Sequence, residues 1–564
     1  MKRQRRRAVV CLLALVGLAL AGAPLAPGSA AGDTLTLTVL ATTDLHGHIF
    51  PHDYLEGRAA ERGLAKVASY IKQVRARQPH TLLLDCGDTF QGTPLAYLSA
   101  EKYSAELNPM VAAMNALGYD AMAPGNHEWD FGLRTLWRLK EEAQFPWLAA
   151  NVVSTYHDSR RDFPPYVIRS VGGARVAILG MITPAVPRWN PPSHGVGYEF
   201  RDLVETARRY VPALRKKADV VIVIVHAGLG RDPETGARRE ELYPEEDRVW
   251  DIAEQVPGID LILFGHSHRE LEGKQIGAAL LVQPRFWGQS VAEVELTLTR
   301  DAGRWRVAAK RSRLVPMDAS VAPDPEILEL ARVAHERTEA YLNTVLGRID
   351  TELGARTGRV EDTPLVELIQ RAQLHNGRAD VSLAALFSPA TRWQAGPLTI
   401  RDVYRLYSYD NKLYTVEITG AQLKQALEYS ARSFNTYPWP EGGSPFAAGP
   451  GYNYNMAEGV SYQIDVSRPP GDRIMNLQFQ GAPLAPARKL RLALNSYRWS
   501  GGGRYDMLRH AKVVEEAGKE VRELIVDYLL EQKEKKFVPA VDGNWEIVPP
   551  EARQALLDSL APCP

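Results

Sequence analysis

At 564 residues and 45% hydrophobic side chains, the chain is too long for one core, since single cores stop growing near about 250–300 residues; two or more domains follow. The 67 basic and 67 acidic residues cancel, which excludes a nucleic-acid polymer as the expected partner, because phosphate-backbone binders carry basic surfaces. The three cysteines, Cys11, Cys86 and Cys563, are too few for a disulfide framework.

Residues 2–7 are strongly basic, residues 8–20 are apolar, and Gly28-Ser29-Ala30-Ala31 supplies a small-x-small cleavage site. That order predicts a secretory signal peptide over residues 1–31 rather than a membrane anchor, for which the run is short of about 20 apolar residues. No later stretch is apolar enough to span a bilayer, so a periplasmic or secreted protein, off the membrane once the signal is removed, is expected. Cys11 leaves with the signal; whether Cys86 and Cys563 meet is not legible.

Residues 34–40 alternate β-branched and apolar side chains, as a strand does, and run into Asp44-Leu45-His46. An Asp and a His two apart at a strand end suit one metal ion, or a solvated turn. Residues 63–76 carry the stripe of an amphipathic helix. A buried strand over residues 80–88 ends in Asp88, and a second helix is predicted over 105–117. Then comes Gly125-Asn126-His127-Glu128-Trp129-Asp130, too polar for a strand; alone it is a metal- or proton-handling loop or an ordinary surface loop. Strands are predicted over 145–153 and 174–182.

Residues 219–225 are almost wholly Val and Ile and end at His226; residues 260–264 repeat the design and end at Gly265-His266-Ser267-His268. Continuous β-branched runs mark strands covered on both faces, and open α/β sheets place ligands at the carboxyl ends of their strands. Five strand ends therefore carry Asp44, His46, Asp88, Asn126, His226, His266 and His268. A set of oxygen and nitrogen donors without a thiolate suits two divalent ions, such as manganese, zinc, cobalt or iron, sharing a carboxylate. His48 and His52 lie nearby, but their spacing gives them no ligand role.

Residues 325–346 read as a helix joining a first domain, 32–318, to a second, through a connection over 319–346. The second domain, 347–540, mixes helices over 363–374 and from 398 with strands over 379–387, 413–418, 460–466 and 490–494. It has no metal-type motif. Two glycine- and aromatic-rich loops, at 449–456 and 495–503, hold aromatics that can stack on a flat base or simply be loop aromatics. The tail, 541–564, has no role that the sequence assigns.

In sequence, Asp-x-His, Gly-Asp, Gly-Asn-His-Glu, a lone His and Gly-His-x-His resemble the motifs of the calcineurin-like metallophosphoesterases. Asp130, three past His127, and Asp85-x-Gly-Asp88-x-x-Gln91-Gly-Thr-Pro-Leu resemble the 5′-nucleotidase and 2′,3′-cyclic-nucleotide 2′-phosphodiesterase family within them. The resemblance covers residues 34–540. It implies an α/β fold: an N-terminal two-sheet sandwich flanked by helices, a connecting helix, and an α+β C-terminal nucleotide-binding domain. It further implies Asp88 as the bridging ligand, His127 with Asp130 as a catalytic dyad, and Tyr454 and Tyr497 as a base clamp.

Three departures point within the family. Gly501-Gly502-Gly503 lacks the Asp that 5′-nucleotidases carry there, Ser-Leu-Ala-Ala-Leu-Phe at 382–387 replaces their arginines, and Gly-His-Ser-His replaces Gly-His-x-Gln. These resemble the branch with 2′,3′-cyclic-nucleotide 2′-phosphodiesterase and 3′-nucleotidase activity. A monomeric hydrolase of small nucleotides, serving salvage, is therefore expected. A broad 5′-nucleotidase or UDP-sugar-type hydrolase, and a non-catalytic nucleotide-binding surface protein, stand as alternatives.

Overall fold

A computed structural model describes residues 33–155, 162–240, 243–440 and 442–560. The predicted signal peptide and Cys563 lie outside them; Cys86 is a buried free thiol. Among the described residues no helix is long and apolar enough to cross a membrane.

The strand Thr34–Thr42 organises the first domain. It pairs parallel with Thr81–Asp85 and antiparallel with Ser290–Asp301 in a five-stranded sheet whose edges are Ala121–Met122 and Arg304–Pro316. Its alternation sorts side chains by face. Leu35, Leu37, Val39 and Ala41 point to a second sheet, while Leu40 joins the helices behind. The second sheet is six-stranded and centred on Val220–His226, flanked by parallel Ala174–Ile182 and Leu261–Phe264. Here Ile222 and Ile224 face the first sheet, whereas Val221, Val223 and Val225 face Leu203–Lys217 and Val249–Gln255. Both faces of this strand are covered, so the whole run is apolar.

Two predicted elements differ. The second helix spans Pro109–Leu117, not 105–117, because the Asn108 side chain accepts from Met110 N and Val111 N and Pro109 takes the first helical position. Residues 145–151 form no strand beyond a single bridge at Trp147, and only Val152–Ser154 pairs, with Tyr198–Phe200. Asn151 occupies the ladder positions instead, its amide bonding Ile182 N and O and Arg201 O.

The connecting helix is Pro325–Leu342, capped by Asp324. The chain then enters a strand, Val345–Ile349, so the helix stops short of residue 346. The second domain is built on a five-stranded sheet, with Lys489–Asn495 between Val381–Ala385 and Lys412–Thr419. The tail belongs to this domain: Trp545–Val548 pairs parallel with Ser461–Asp465, and Pro550–Leu560 buries Ala552 and Leu556.

Arg522, 1% exposed, lies on the rings of Tyr404 and Tyr97, the latter from the first domain, at 3.7 and 5.0 Å. It pairs with Asp410, which accepts from Gln91 Nε2 at 2.7 Å. This fixes one face of the second domain beside the carboxyl end of the first sheet.

Candidate metal centre

All seven predicted ligand-type side chains project from the carboxyl ends of strands and converge. His226 Nε2 lies 2.9 Å from Asp88 Oδ2 and 3.2 Å from Asn126 Oδ1. His46 Nε2 is 2.9 Å from His268 Nε2, which is 3.4 Å from Asp44 Oδ1. Asp88 Oδ2 stands between the two groups, 4.0 Å from His46 Nε2. Asp44, His46 and His268 form one cluster able to hold an ion; Asp88, His226 and His266 form the other.

The residues fit two metal ions. His46 Nδ1 faces the Gln91 carbonyl at 2.8 Å and His226 Nδ1 faces the Cys86 carbonyl at 2.7 Å. A carbonyl only accepts, so each Nδ1 carries a proton and each Nε2 is the ring nitrogen presented to the centre, the orientation a ligand needs. Burial lowers His46 to about 4, keeping it neutral. Burial alone would raise Asp88, but His226 and His127 hold its carboxyl well below the usual range.

Glu128, part of the Asn-His-Glu motif but unassigned from sequence, holds the loops together. Its buried carboxylate accepts from Asp88 N at 2.9 Å, Thr89 N at 2.7 Å and Phe90 N at 3.2 Å, and also from Gly125 N. The loops touch so closely that a Cβ on Gly125 would sit 2.1 Å from Asp88 Oδ1. A second pair missed in sequence is Glu246 and Asp247. Glu246 Oε1 is 2.8 Å from His266 Nε2, and both acids cluster with that histidine. They sit on a loop without periodicity, so no sequence signal marks them.

His127 Nδ1 lies 2.6 Å from Asp130 Oδ2, and His127 Nε2 lies 4.0 Å from Asp88 Oδ2. Burial works against a charged His127, but the Asp130 and Asp88 carboxylates outweigh it and lift it to about 10. With Asp130 accepting at Nδ1, the ring turns Nε2 toward the centre. His48 stacks on Trp287 with ring centres 4.7 Å apart, and its Nδ1 faces the Leu45 carbonyl at 3.0 Å.

The two predicted aromatics lie in different surroundings. Tyr454 is 1% exposed, packs edge-on against Phe434 and lines a cavity of the second domain together with Arg359. Tyr452, on the same loop, stands 6.5 Å from Tyr497 and 6.4 Å from Tyr409. The turn Gly451–Asn453 directs Tyr452 outward before the strand Asn455–Glu458 carries the chain inward. Tyr497 stands on the second loop, whose Gly501 carbonyl lies 3.5 Å from the Tyr243 hydroxyl of the first domain. At Gly503, where φ is +69°, a Cβ would come within 2.2 Å of Asn453 Oδ1, so an Asp there would be strained and would displace that side chain.

Two family models match the chain: calcineurin-like phosphoesterase over residues 37–270 and 5′-nucleotidase, C-terminal domain, over 344–510. A trifunctional nucleotide phosphoesterase, YfkN, of Bacillus subtilis is 29% identical over 95% of this chain, which spans 40% of that relative's length. A 2′,3′-cyclic-nucleotide 2′-phosphodiesterase/3′-nucleotidase of Salmonella typhimurium is 28% identical over 93% of this chain and 90% of its own. Among solved structures, a putative 5′-nucleotidase from Staphylococcus aureus superposes with a TM-score of 0.79 at 28% identity, covering 91% of this chain and 99% of that one. The two-sheet sandwich, the convergent strand ends and these matches agree: the chain belongs to the calcineurin-like phosphoesterases that carry a 5′-nucleotidase C-terminal domain, metal-dependent hydrolases of phosphoric esters.

Proposed function

We propose that this protein hydrolyses 2′,3′-cyclic nucleotides at the 2′ oxygen and then 3′-nucleotides, outside the cytoplasm, in nucleotide salvage. The observation that carries the reading is the pairing of the His127–Asp130 dyad, beside Asp88, with the aromatic group of Tyr409, Tyr452 and Tyr497. One half suits a phosphoryl group and the other a base. The names of the Salmonella relative and of its counterparts in Haemophilus influenzae and Yersinia enterocolitica support the 2′,3′-cyclic and 3′ preference. The basic and apolar leader over residues 1–31 supports export.

Asp44, His46 and His268 would hold one ion and His226, His266 and Asn126 the other, with Asp88 between them. Manganese, zinc, cobalt and iron all suit these donors. Two such ions, when bound, supply Lewis acidity to the phosphoryl group and lower the pKa of water. Within the protein, Asp130 fixes the His127 ring so that Nε2 presents its proton to the oxygen leaving phosphorus. Water forms the new P–O bond, the P–O2′ bond breaks, and O2′ takes that proton. Tyr452 and Tyr497 hold the base and orient the ribose.

Purified protein assayed with manganese against 2′,3′-cyclic AMP, 3′-AMP and 5′-AMP tests this. The first two substrates should be turned over faster than 5′-AMP, and chelation should abolish activity until metal is returned. Exclusive turnover of 5′-AMP, or full activity in metal-free protein, would sink the reading.

A further inference from the structure

Beyond the aromatic group lies a cavity of about 860 Å³ that the hydrolysis of a mononucleotide leaves unused. Arg269, Arg356, Arg359, Arg432 and Arg504 line it, against one carboxylate, Glu240. Among the described residues no carboxylate pairs with Arg356, Arg359 or Arg432. Arg432 lies over the Tyr429 ring at 5.3 Å, and Arg359 donates to the Leu386 carbonyl at 2.7 Å while its buried Nε has no partner. Clustered guanidinium groups with so little compensation repel one another, and their planar forks match phosphate oxygens.

The cavity adjoins a recess beside the centre through shared lining residues. A neighbouring recess of about 410 Å³ shares Glu240 and Arg269 with it and is lined by Glu246, Ser267 and Tyr452. Ser267 stands between the candidate ligands His266 and His268, and Arg269 follows directly. The loop bearing Tyr452 separates the two spaces: Tyr452 lines the recess, whereas Gly451 and Asn453 line the arginine cavity. A Cβ on Gly451 would fall 2.1 Å from Arg359 Nη1, so that guanidinium lies directly against the loop.

We infer that the arginine cavity receives a second phosphate of the substrate, the 5′-phosphate of a nucleotide whose 3′-phosphate lies at the metal centre. This rests on the 3′-directed reading above. A 2′,3′-cyclic or 3′-nucleotide commits its only phosphate to the centre and its base to the aromatics; O5′ is the ribose oxygen that is free in both and can carry a further anion. The substrate class is therefore the nucleoside 3′,5′-bisphosphates. With water, the P–O3′ bond breaks, a P–O bond to the water oxygen forms, and O3′ takes the proton. Nucleoside 5′-phosphate and inorganic phosphate are the products.

The test compares adenosine 3′,5′-bisphosphate with 3′-AMP in wild-type protein and in the Arg356→Ala/Arg432→Ala variant, with manganese at low and high salt, identifying the nucleoside product. The wild type should favour the bisphosphate about tenfold in kcat/KM, mostly through KM, an advantage that shrinks with salt. The product should be 5′-AMP, and in the variant the ratio of the two substrates should fall to about one. Equal kcat/KM for both substrates in the wild type, or a ratio unchanged in the variant, overturns the inference alone. Release of 3′-AMP from the bisphosphate, or no turnover of 3′-AMP, overturns the 3′-directed reading and this inference with it.

Discussion

Replacing Asp130 by Asn isolates the leaving-group side of the site. The wild-type contact is a 2.6 Å bond from His127 Nδ1 to a carboxylate, and Asn can keep a neutral bond of similar shape through its amide oxygen. The loss is then the difference between a charge-assisted and a neutral hydrogen bond, about 1–2 kcal/mol. Solvent reaches both partners, with side chains 33% and 18% exposed, which favours the lower part of that range. For 3′-AMP and 2′,3′-cyclic AMP, whose leaving oxygen needs a proton, kcat/KM should fall about five- to thirtyfold. p-Nitrophenolate leaves without one, so p-nitrophenyl phosphate should lose less than about threefold. Steady-state kinetics on both substrates, with bound manganese measured in each protein, read the difference. Equal losses on the two esters at equal metal content would refute the role given to the dyad.

Tyr452→Ala should weaken nucleotides by roughly 1–3 kcal/mol of stacking, seen in KM, while p-nitrophenyl phosphate, which has no base, changes little. Tyr454→Leu should lower the melting temperature without altering the ratio of those two substrates; the reverse pattern would return the clamp to Tyr454. In the second domain, burial and then the neighbouring Glu367 raise Glu458 from 4.5 to about 8. The folded protein there keeps a proton that the unfolded chain releases, so this group costs stability progressively as pH rises from about 4.5 to about 8. Urea midpoints across that range should fall less steeply in Glu458→Gln, and parallel curves would count against it.

What was legible in the sequence is local. His226, His266 and His268 each follow a Val-, Ile- or Leu-rich strand, and a strand's end is visible wherever its apolar run stops. The Pro109 helix start was equally visible, in Asn108-Pro109, although the helix was predicted to begin at residue 105. Tyr452 and Tyr454 were not separable, because both lie in one loop and only the turn beginning at Gly451 decides which ring faces out. The bond from Gln91 to Asp410 joins residues 319 positions apart, and that from His266 to Glu246 depends on how a loop folds back. Neither leaves a periodic trace.

The backbone of the centre also carries a cost that composition does not reveal. Asp44, His46, Asp88, His266 and His268 all have positive φ, between 47° and 74°. Each such residue costs of order 1 kcal/mol or more, and Ala or Leu at these positions would be strained as well. The conformation persists because neighbouring loops leave no alternative. Asp44 N and His46 N donate to the Gly87 and Asp88 carbonyls at 2.8 and 2.9 Å, Trp287 N donates to the Asp44 carbonyl at 2.7 Å, and Glu128 ties the Asp88 loop to Gly125. A Cβ on Gly265 would lie 1.9 Å from Thr43 Oγ1, so the His266 turn is pressed onto the Asp44 loop in the same way. The sharp reversals turn side chains from separate strand ends back toward one point, which extended strand termini would splay apart. The sandwich core and these loop-to-loop bonds therefore hold the donors converged.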